Sequence, residues 1–394
     1  MARLLTPAVR PTLGPRRVHD WEDSRHATWL ELFYDLVFVV VVARLATLLH
    51  DDHDVGGVLT FVGLLVPVWW AWISFSYYAD LFDEDRTLDR LVQLSAMLGA
   101  AVVAVSLSDG VGDDSVLYAG SFAAMFGLLT LLYVHAVRTA PAARELCRWY
   151  VAGSAVGAAL WLGSLAVPAP GRYWMWAAAV VANALLSGPI AYARVASPPY
   201  QTSHMPERFG LFTLVVLGES VLGAINGVEA THWRPASVVT AVAGFVIAAS
   251  IWWVYFGAFD EAAIDRAMAQ GRYAQLRAFL YGYGHIAVYA AVAATGVGVQ
   301  LSIEAADGAE PVGLLAVALT GVMLGLTLMA SGIGSQGPRR IVVAKAATTA
   351  VGILAVVLLD NVAMAVTVTA VAWAVLAAVK TSVSRAMAQG AAPA

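Results

Sequence analysis

Apolar positions along this chain fall in runs of 18 or more residues, broken by short polar segments. At 1.5 Å per residue, about 20 residues in a helix cross the hydrocarbon core of a bilayer. Twelve runs meet that length: 29–49, 57–78, 91–107, 116–137, 149–167, 173–193, 209–227, 236–259, 279–301, 312–332, 341–359 and 361–379. The pattern predicts an all-α integral membrane fold of about 12 transmembrane helices. Only Asp360 and Asn361 separate the last two runs. One continuous helix there would need about 39 residues, nearly twice the bilayer, so a tight re-entry is expected.

The arginines give this count a direction. Nineteen of the 23 basic residues fall on one side of the predicted spans, from Arg3 in the N-terminal tail to Lys380 and Arg385 near the C-terminus. The opposite side holds Arg172 and Arg234, while Arg44 and Lys345 lie inside spans. Basic residues accumulate in cytoplasmic segments, so both termini are expected in the cytoplasm. An odd number of spans would destroy the asymmetry.

Composition agrees. The chain is 60% hydrophobic and 13% charged, with a mean hydropathy of +0.73. Soluble domains carry about 25% charged residues, so two or three soluble domains are excluded. A net charge of −4 implies no nucleic-acid surface. The lone Cys147 excludes an intramolecular disulfide and a cysteine-cluster metal site. His50 and His53 sit among aspartates, but that spacing in a loop is weak ground for a metal, and none is expected. No Walker A loop, nucleophile elbow or His-Glu-x-x-His motif is present, so ATP-driven transport by this chain alone is not expected. No cofactor and no enzymatic activity are expected. Residues 1–28 lack an apolar core of the signal-peptide kind and read as a disordered basic cytoplasmic tail.

The chain also carries a trace of duplication. Span one opens Glu31-Leu32-Phe33-Tyr34-Asp35, and span seven opens Gly210-Leu211-Phe212-Thr213-Leu214. Span two carries Trp69-Trp70-Ala71-Trp72, and span eight Trp252-Trp253-Val254-Tyr255. Acidic segments follow each, at 83–86 and 260–266, and the paired landmarks lie 38 and 42 residues apart. Matching order and spacing predict two six-helix repeats, 29–193 and 209–379, joined by a cytoplasmic linker at 194–208. A C-terminal tail follows at 380–394. Six being even, the repeats would be parallel.

The segment Trp29-Leu30-Glu31-Leu32-Phe33-Tyr34-Asp35-Leu36-Val37-Phe38 resembles the opening signature of the bacterial low temperature requirement A (LtrA) family. Glu207-Arg208-Phe209-Gly210-Leu211-Phe212, continuing to Gly218-Glu219, resembles its second signature, and Tyr281-Gly282-Tyr283-Gly284-His285 a third patch. The resemblance covers residues 25 to 380. It implies a multi-pass inner-membrane protein associated with growth in the cold and carries no established biochemical activity. A weaker similarity links Glu31 to Asp35 with the Phe-Ser-Asp motif of the lysosomal potassium/proton channel family. Here Tyr34 stands in place of the serine and the second half lacks the aspartate, which argues against a shared ion pathway.

Ionisable groups inside spans carry the functional reading, because each costs about 2.5–3.5 kcal/mol at a helix centre unless it is paired or hydrated. Glu219 lies ten residues into span seven, about 15 Å deep, at the midplane. It is read as a proton-coupling or cation-binding carboxylate; the simpler alternative is a neutral interhelical hydrogen bond. Asp35 lies about 9 Å deep and Glu31 about 3 Å, on one helix face. Glu31 fits a helix N-terminus, where acidic side chains meet the macrodipole favourably. Arg208 could pair with Glu31 if spans one and seven meet. His285 is read chiefly as a neutral ring bonded to backbone or tyrosine, with a proton relay as the alternative. The aromatic bands at 69–78 and 252–259 read as interfacial belts. The glycine pairs Gly153/Gly157 and Gly321/Gly325 read as close helix contacts, within one chain or in a homo-oligomer.

The leading expectation is a secondary transporter or ion-translocating protein of the bacterial cytoplasmic membrane. Its partners are the lipid bilayer and a small solute or ion of unknown identity. Glu219 and Asp35 would carry the coupling, with Glu31, His285 and Arg208 as accessories. Two other classes compete. One is a non-transporting scaffold or lipid-linked protein supporting growth in the cold. The other is a lipid enzyme built on Glu31 with His204 or His285.

Overall fold

The computed structural model describes residues 28–82, 87–107, 115–195, 205–257, 274–305, 313–332 and 338–388. The basic tail, the acidic segments at 83–86 and 260–266, His204 and the linker prolines 198–199 lie outside the described residues. Within them the chain is helical and no strand occurs. In chain order the helices are α1 (Trp29–Asp51), α2 (Val55–Leu81), α3 (Thr87–Ser106), α4 (Ser115–Thr139), α5 (Arg144–Ser164) and α6 (Gly171–Arg194). They continue with α7 (Met205–Ala230), α8 (Pro235–Phe256), α9 (Ala274–Glu304), α10 (Gly313–Gly332), α11 (Arg339–Leu358) and α12 (Val362–Ala388). Each predicted span has its helix. Eleven of them are long and apolar enough to cross a membrane. The other, α5, is diluted by Arg144, Glu145 and Arg148 in its first turns and by serines and glycines along its buried face. The chain is a multi-pass membrane protein.

The predicted re-entry is present. Helix α11 stops at Leu358, and Asn361 Oδ1 accepts from the Met364 N–H at 2.8 Å to start α12. This is an N-cap bond, satisfying one of the four donors that a helix start leaves open. Helix α12 then runs to Ala388, beyond the predicted end at 379. Val383 remains buried there, which holds the extra turns against the fold.

Two compact units emerge: 1–44 with 63–208, and 45–62 with 209–394. In the first, aromatic side chains from α4, α5 and α6 form the centre. Trp161 stacks on Phe122 at 4.7 Å and lies 5.4 Å from Trp176 and 6.1 Å from Tyr118. Helices α5 and α6 come close because Gly153 and Gly157 face Ser187 and Asn183; a Cβ on Gly153 would sit 2.3 Å from Ser187 Oγ. Helix α6 changes pitch over Leu186–Ile190, a π-turn containing Gly188 and Pro189. Proline cannot donate to the preceding turn, and such turns absorb the lost bond.

In the second unit α9 is the most enclosed span, 72% buried over its apolar window. It reaches that position through small residues. A Cβ on Gly296 would lie 2.8 Å from Ser220 Cα of α7, and one on Gly298 would lie 2.8 Å from Leu315 Cα of α10. The second glycine pair, Gly321 and Gly325, packs on Ala291 and Val288 of α9. Both predicted glycine pairs are thus used within the chain. Without a hydrophobic force between helices in lipid, close backbone approach and dispersion supply the attraction, and small residues permit it.

Candidate functional site

The first turn of α1 is set by a capping box. The Thr28 N–H and hydroxyl donate to Glu31 Oε2 at 2.7 and 3.0 Å, and the Glu31 N–H donates back to Thr28 Oγ1 at 3.3 Å. This reciprocal arrangement satisfies backbone groups at a helix start. It gives Glu31 the N-terminal role expected from its position.

One turn further, Asp35 is 2% exposed. Its Oδ1 accepts from Trp72 Nε1 of α2 at 2.7 Å and from an Arg208 Nη2 of α7 at 2.9 Å. Arg208 is itself 3% exposed. The pair therefore lies inside the first unit, about 9 Å along α1. Around it the guanidinium carbon lies 5.7 Å from the Tyr34 ring centre and 5.8 Å from that of Trp72. Both distances are within cation–π range. Tyr34 donates to the Trp72 carbonyl at 3.4 Å, which also accepts from Ser76 at 2.7 Å. Glu31 lies near enough to interact electrostatically with both members of the pair.

The pair is incompletely satisfied. Asp35 Oδ2 and Arg208 Nε are buried without hydrogen-bond partners among the described residues. Arginine keeps its proton at all accessible pH, whereas a carboxylate can take up a proton or a cation. The site thus joins a permanent charge to a titratable one, with one carboxylate oxygen unbonded among the described residues.

The sequence offered Arg208 to Glu31; the bond is to Asp35. Helix α7 begins at Met205 rather than 209, so Arg208 stands within its first turn. The part of Trp72 was not foreseen, because its band read as interfacial. Trp69, Trp70 and Trp72 are in fact 3%, 7% and 0% exposed, and Trp70 Nε1 donates to Asn183 Oδ1 at 2.7 Å. Asn183 is thus the acceptor in that bond. An indole buried with a partner for its N–H belongs to the core. The band of α8 differs: Trp252 and Trp253 are 43% and 48% exposed.

The remaining candidates lie in the second unit. Glu219 is half-buried near the middle of α7, beside the exposed Gly218 and Leu222, and has no bonded partner among the described residues. His285 is completely buried. Its Nδ1 donates to the Tyr281 carbonyl at 2.7 Å, which leaves Nε2 to accept from the Tyr255 hydroxyl at 2.9 Å. Phe209 stacks on the ring at 4.2 Å. Both nitrogens of a neutral imidazole are satisfied in this way. No bond joins His285 to Glu219. No cluster of three or more metal-ligating His, Cys, Asp or Glu side chains occurs among the described residues. His50 instead pairs with Glu304 at 3.1 Å within this unit.

Comparison with known proteins adds three findings. The family model described as "Bacterial low temperature requirement A protein (LtrA)" matches residues 26–380. An uncharacterized protein of Rhizobium meliloti (strain 1021) is 26% identical over 291 residues, covering 71% of this chain and 70% of that protein. No solved structure matches.

Proposed function

The chain belongs to the bacterial low temperature requirement A (LtrA) family, and from that premise we propose that it is a proton- or cation-linked secondary transporter or ion-translocating protein of the cytoplasmic membrane. The observation that carries the reading is the buried Asp35–Arg208 pair with one carboxylate oxygen free. Charged side chains inside membrane helices are costly and mark ion paths or proton relays. Protonation of Asp35, or its capture of a cation at Oδ2, weakens the bond that holds Arg208 and changes the charge at the base of α1 and α7. Such a change can bias two arrangements of the helices, the requirement of a coupled cycle. Glu219, a half-buried carboxylate near the middle of α7, is the second coupling group in this reading. The arginine asymmetry supports cytoplasmic termini, and the recurring Leu-Phe and Trp-Trp landmarks support two parallel six-helix repeats.

The test is ion flux in proteoliposomes under imposed pH and potassium gradients, comparing wild type with Asp35→Asn and Glu219→Gln. Wild-type flux that falls at least tenfold in Asp35→Asn, with the variant folded, is the expected result. Flux that survives both substitutions removes the carboxylates from any path. No flux in any of the three moves the weight to a non-transporting scaffold supporting growth in the cold.

A further inference from the structure

Helices α8 and α12 of the second unit meet along a seam bordered by two open furrows, of about 490 and about 470 Å³. Trp253, Thr381 and Arg385 border both furrows. Lys380, Thr381, Ser384 and Arg385 follow one another at helical spacing and so share a face of α12. Trp253 Nε1 donates to Thr381 Oγ1 at 2.7 Å, which fixes one indole on the seam, and Trp252 lies against it with ring centres 5.9 Å apart.

The charge here is one-sided. Lys380 is largely buried and its Nζ donates to the Val254 carbonyl, in the last turn of α8 where carbonyls lack helical partners. An ammonium has three donors, so two stay available. Lys345, the chain's other lysine, is close enough to act on Lys380 electrostatically. Arg385 is exposed and has no carboxylate partner among the described residues. Among the described residues, no Asp or Glu lines either furrow. A favourable encounter with the helix macrodipole accounts for basic residues near a C-terminus. It does not account for a buried lysine lining an open furrow. Away from the charges the furrow is walled by Phe245, Ala249, Ala374 and Ala378. It extends about 12 Å along α8 from Trp253 to Phe245 and about 16 Å along α12 from Arg385 to Ala374.

We propose that this seam binds an anionic phospholipid, with the phosphate in the furrow lined by Lys380, Ser384 and Arg385 and an acyl chain in the other, past Ala374 and Ala378, the two furrows sharing Trp253, Thr381 and Arg385. Basic pockets between membrane helices recognise anionic head groups, and exposed tryptophans belong at the depth where head group meets chain. A free phosphate would satisfy the basic end and leave the apolar furrow without a use. The alanines leave room for a chain where larger side chains would close the seam.

The test is native mass spectrometry of the purified full chain titrated with phosphatidylglycerol or phosphatidylcholine, repeated with inorganic phosphate as competitor. Wild type is expected to retain phosphatidylglycerol at least tenfold more strongly than phosphatidylcholine. Arg385→Gln, which breaks no bond among the described residues, is expected to lower that retention about fivefold, the effect of one basic residue near an anionic lipid. Lys380→Gln should lower it further, but because Lys380 also closes the end of α8 the Arg385 variant carries the decision. Equal retention of the two lipids, or an Arg385 variant that binds like wild type, overturns the proposal. Displacement of the lipid by millimolar phosphate also overturns it, by showing a site for the free anion.

Discussion

Replacing Arg208 by methionine removes the guanidinium from a position 3% exposed and leaves Asp35 with Trp72 Nε1 at 2.7 Å as its remaining donor. Breaking one side of a buried ion pair costs about 3–5 kcal/mol, because the partner keeps an uncompensated charge. Asp35→Leu strands Arg208 in the same way and carries the same expected cost. Independent effects would add to about 6–10 kcal/mol. The double variant Asp35→Leu/Arg208→Met removes both charges of the pair, and apolar replacement of a whole pair is often neutral or stabilising. What persists is the unpaired indole N–H of Trp72, worth about 1–3 kcal/mol. The double variant should therefore lose about 1–3 kcal/mol, a coupling of at least about 3 kcal/mol. Adding Trp72→Phe should recover part of that loss. Equilibrium unfolding in bicelles, with all variants measured under one condition, gives the free energies. Effects additive to within about 0.5 kcal/mol would falsify the claim that Asp35 and Arg208 form one energetic unit.

Three further outcomes follow from the packing and capping. Gly296→Val should lower the thermal midpoint, at a cost of about 1–3 kcal/mol or more, because a Cβ would meet Ser220 Cα at 2.8 Å. Gly120→Ala on α4, where a Cβ meets nothing within 4 Å, should raise the midpoint through helix propensity of up to about 1 kcal/mol; two shifts of the same sign would undo the contrast. Trp161→Ala should cost about 3–5 kcal/mol by opening a cavity among Tyr118, Phe122 and Trp176, and a loss below 1 kcal/mol in the same unfolding assay would contradict that core. Finally, Asp54 caps α2 through Gly57 N–H at 2.8 Å, and this bond above all holds its carboxyl below the ordinary aspartate value. A depressed carboxyl stabilises the folded form above its unfolded value and loses that effect as pH falls through the folded one. The protection factor at Gly57, its exchange relative to the intrinsic rate at each pH, should fall in acid in the wild type and stay level in Asp54→Asn; equal acid sensitivity in both would remove the cap from the account.

How much of the fold could be read in advance varies with the kind of feature. The helix-start role of Glu31 was visible because an acidic side chain in a first turn meets the macrodipole favourably, whereas its capping box with Thr28 came from the structure. The turn at Asp360 and Asn361 was visible because no bilayer accommodates the alternative. The neutral, bonded state of His285 was anticipated, but its partner Tyr255 sits 30 residues away on another helix. The two tryptophan pairs show the opposite case. Trp69-Trp70 and Trp252-Trp253 look alike as sequence, yet one pair is core and the other is exposed. Asn183 lies against the first pair, and nothing near Trp69 and Trp70 in the sequence indicates it.

By itself the sequence determined the number, placement and apolar character of the helices. Transfer of a span into hydrocarbon is a local sum over about 20 residues, and local sums can be read from a string. It also placed Asp35, Glu219 and His285 within spans, and so showed where to look for chemistry, but left Arg208 in the linker and Lys380 in the tail, both of which the structure buries. Only the tertiary structure decided that Asp35 answers to Arg208, 173 residues away, rather than to a group on its own helix. It also decided that both glycine pairs serve contacts within the chain and that a lysine and an arginine of α12 border an apolar furrow. Such pairings depend on which helix faces meet and at what depth. They are fixed by packing across the bundle, which no stretch of neighbouring residues encodes.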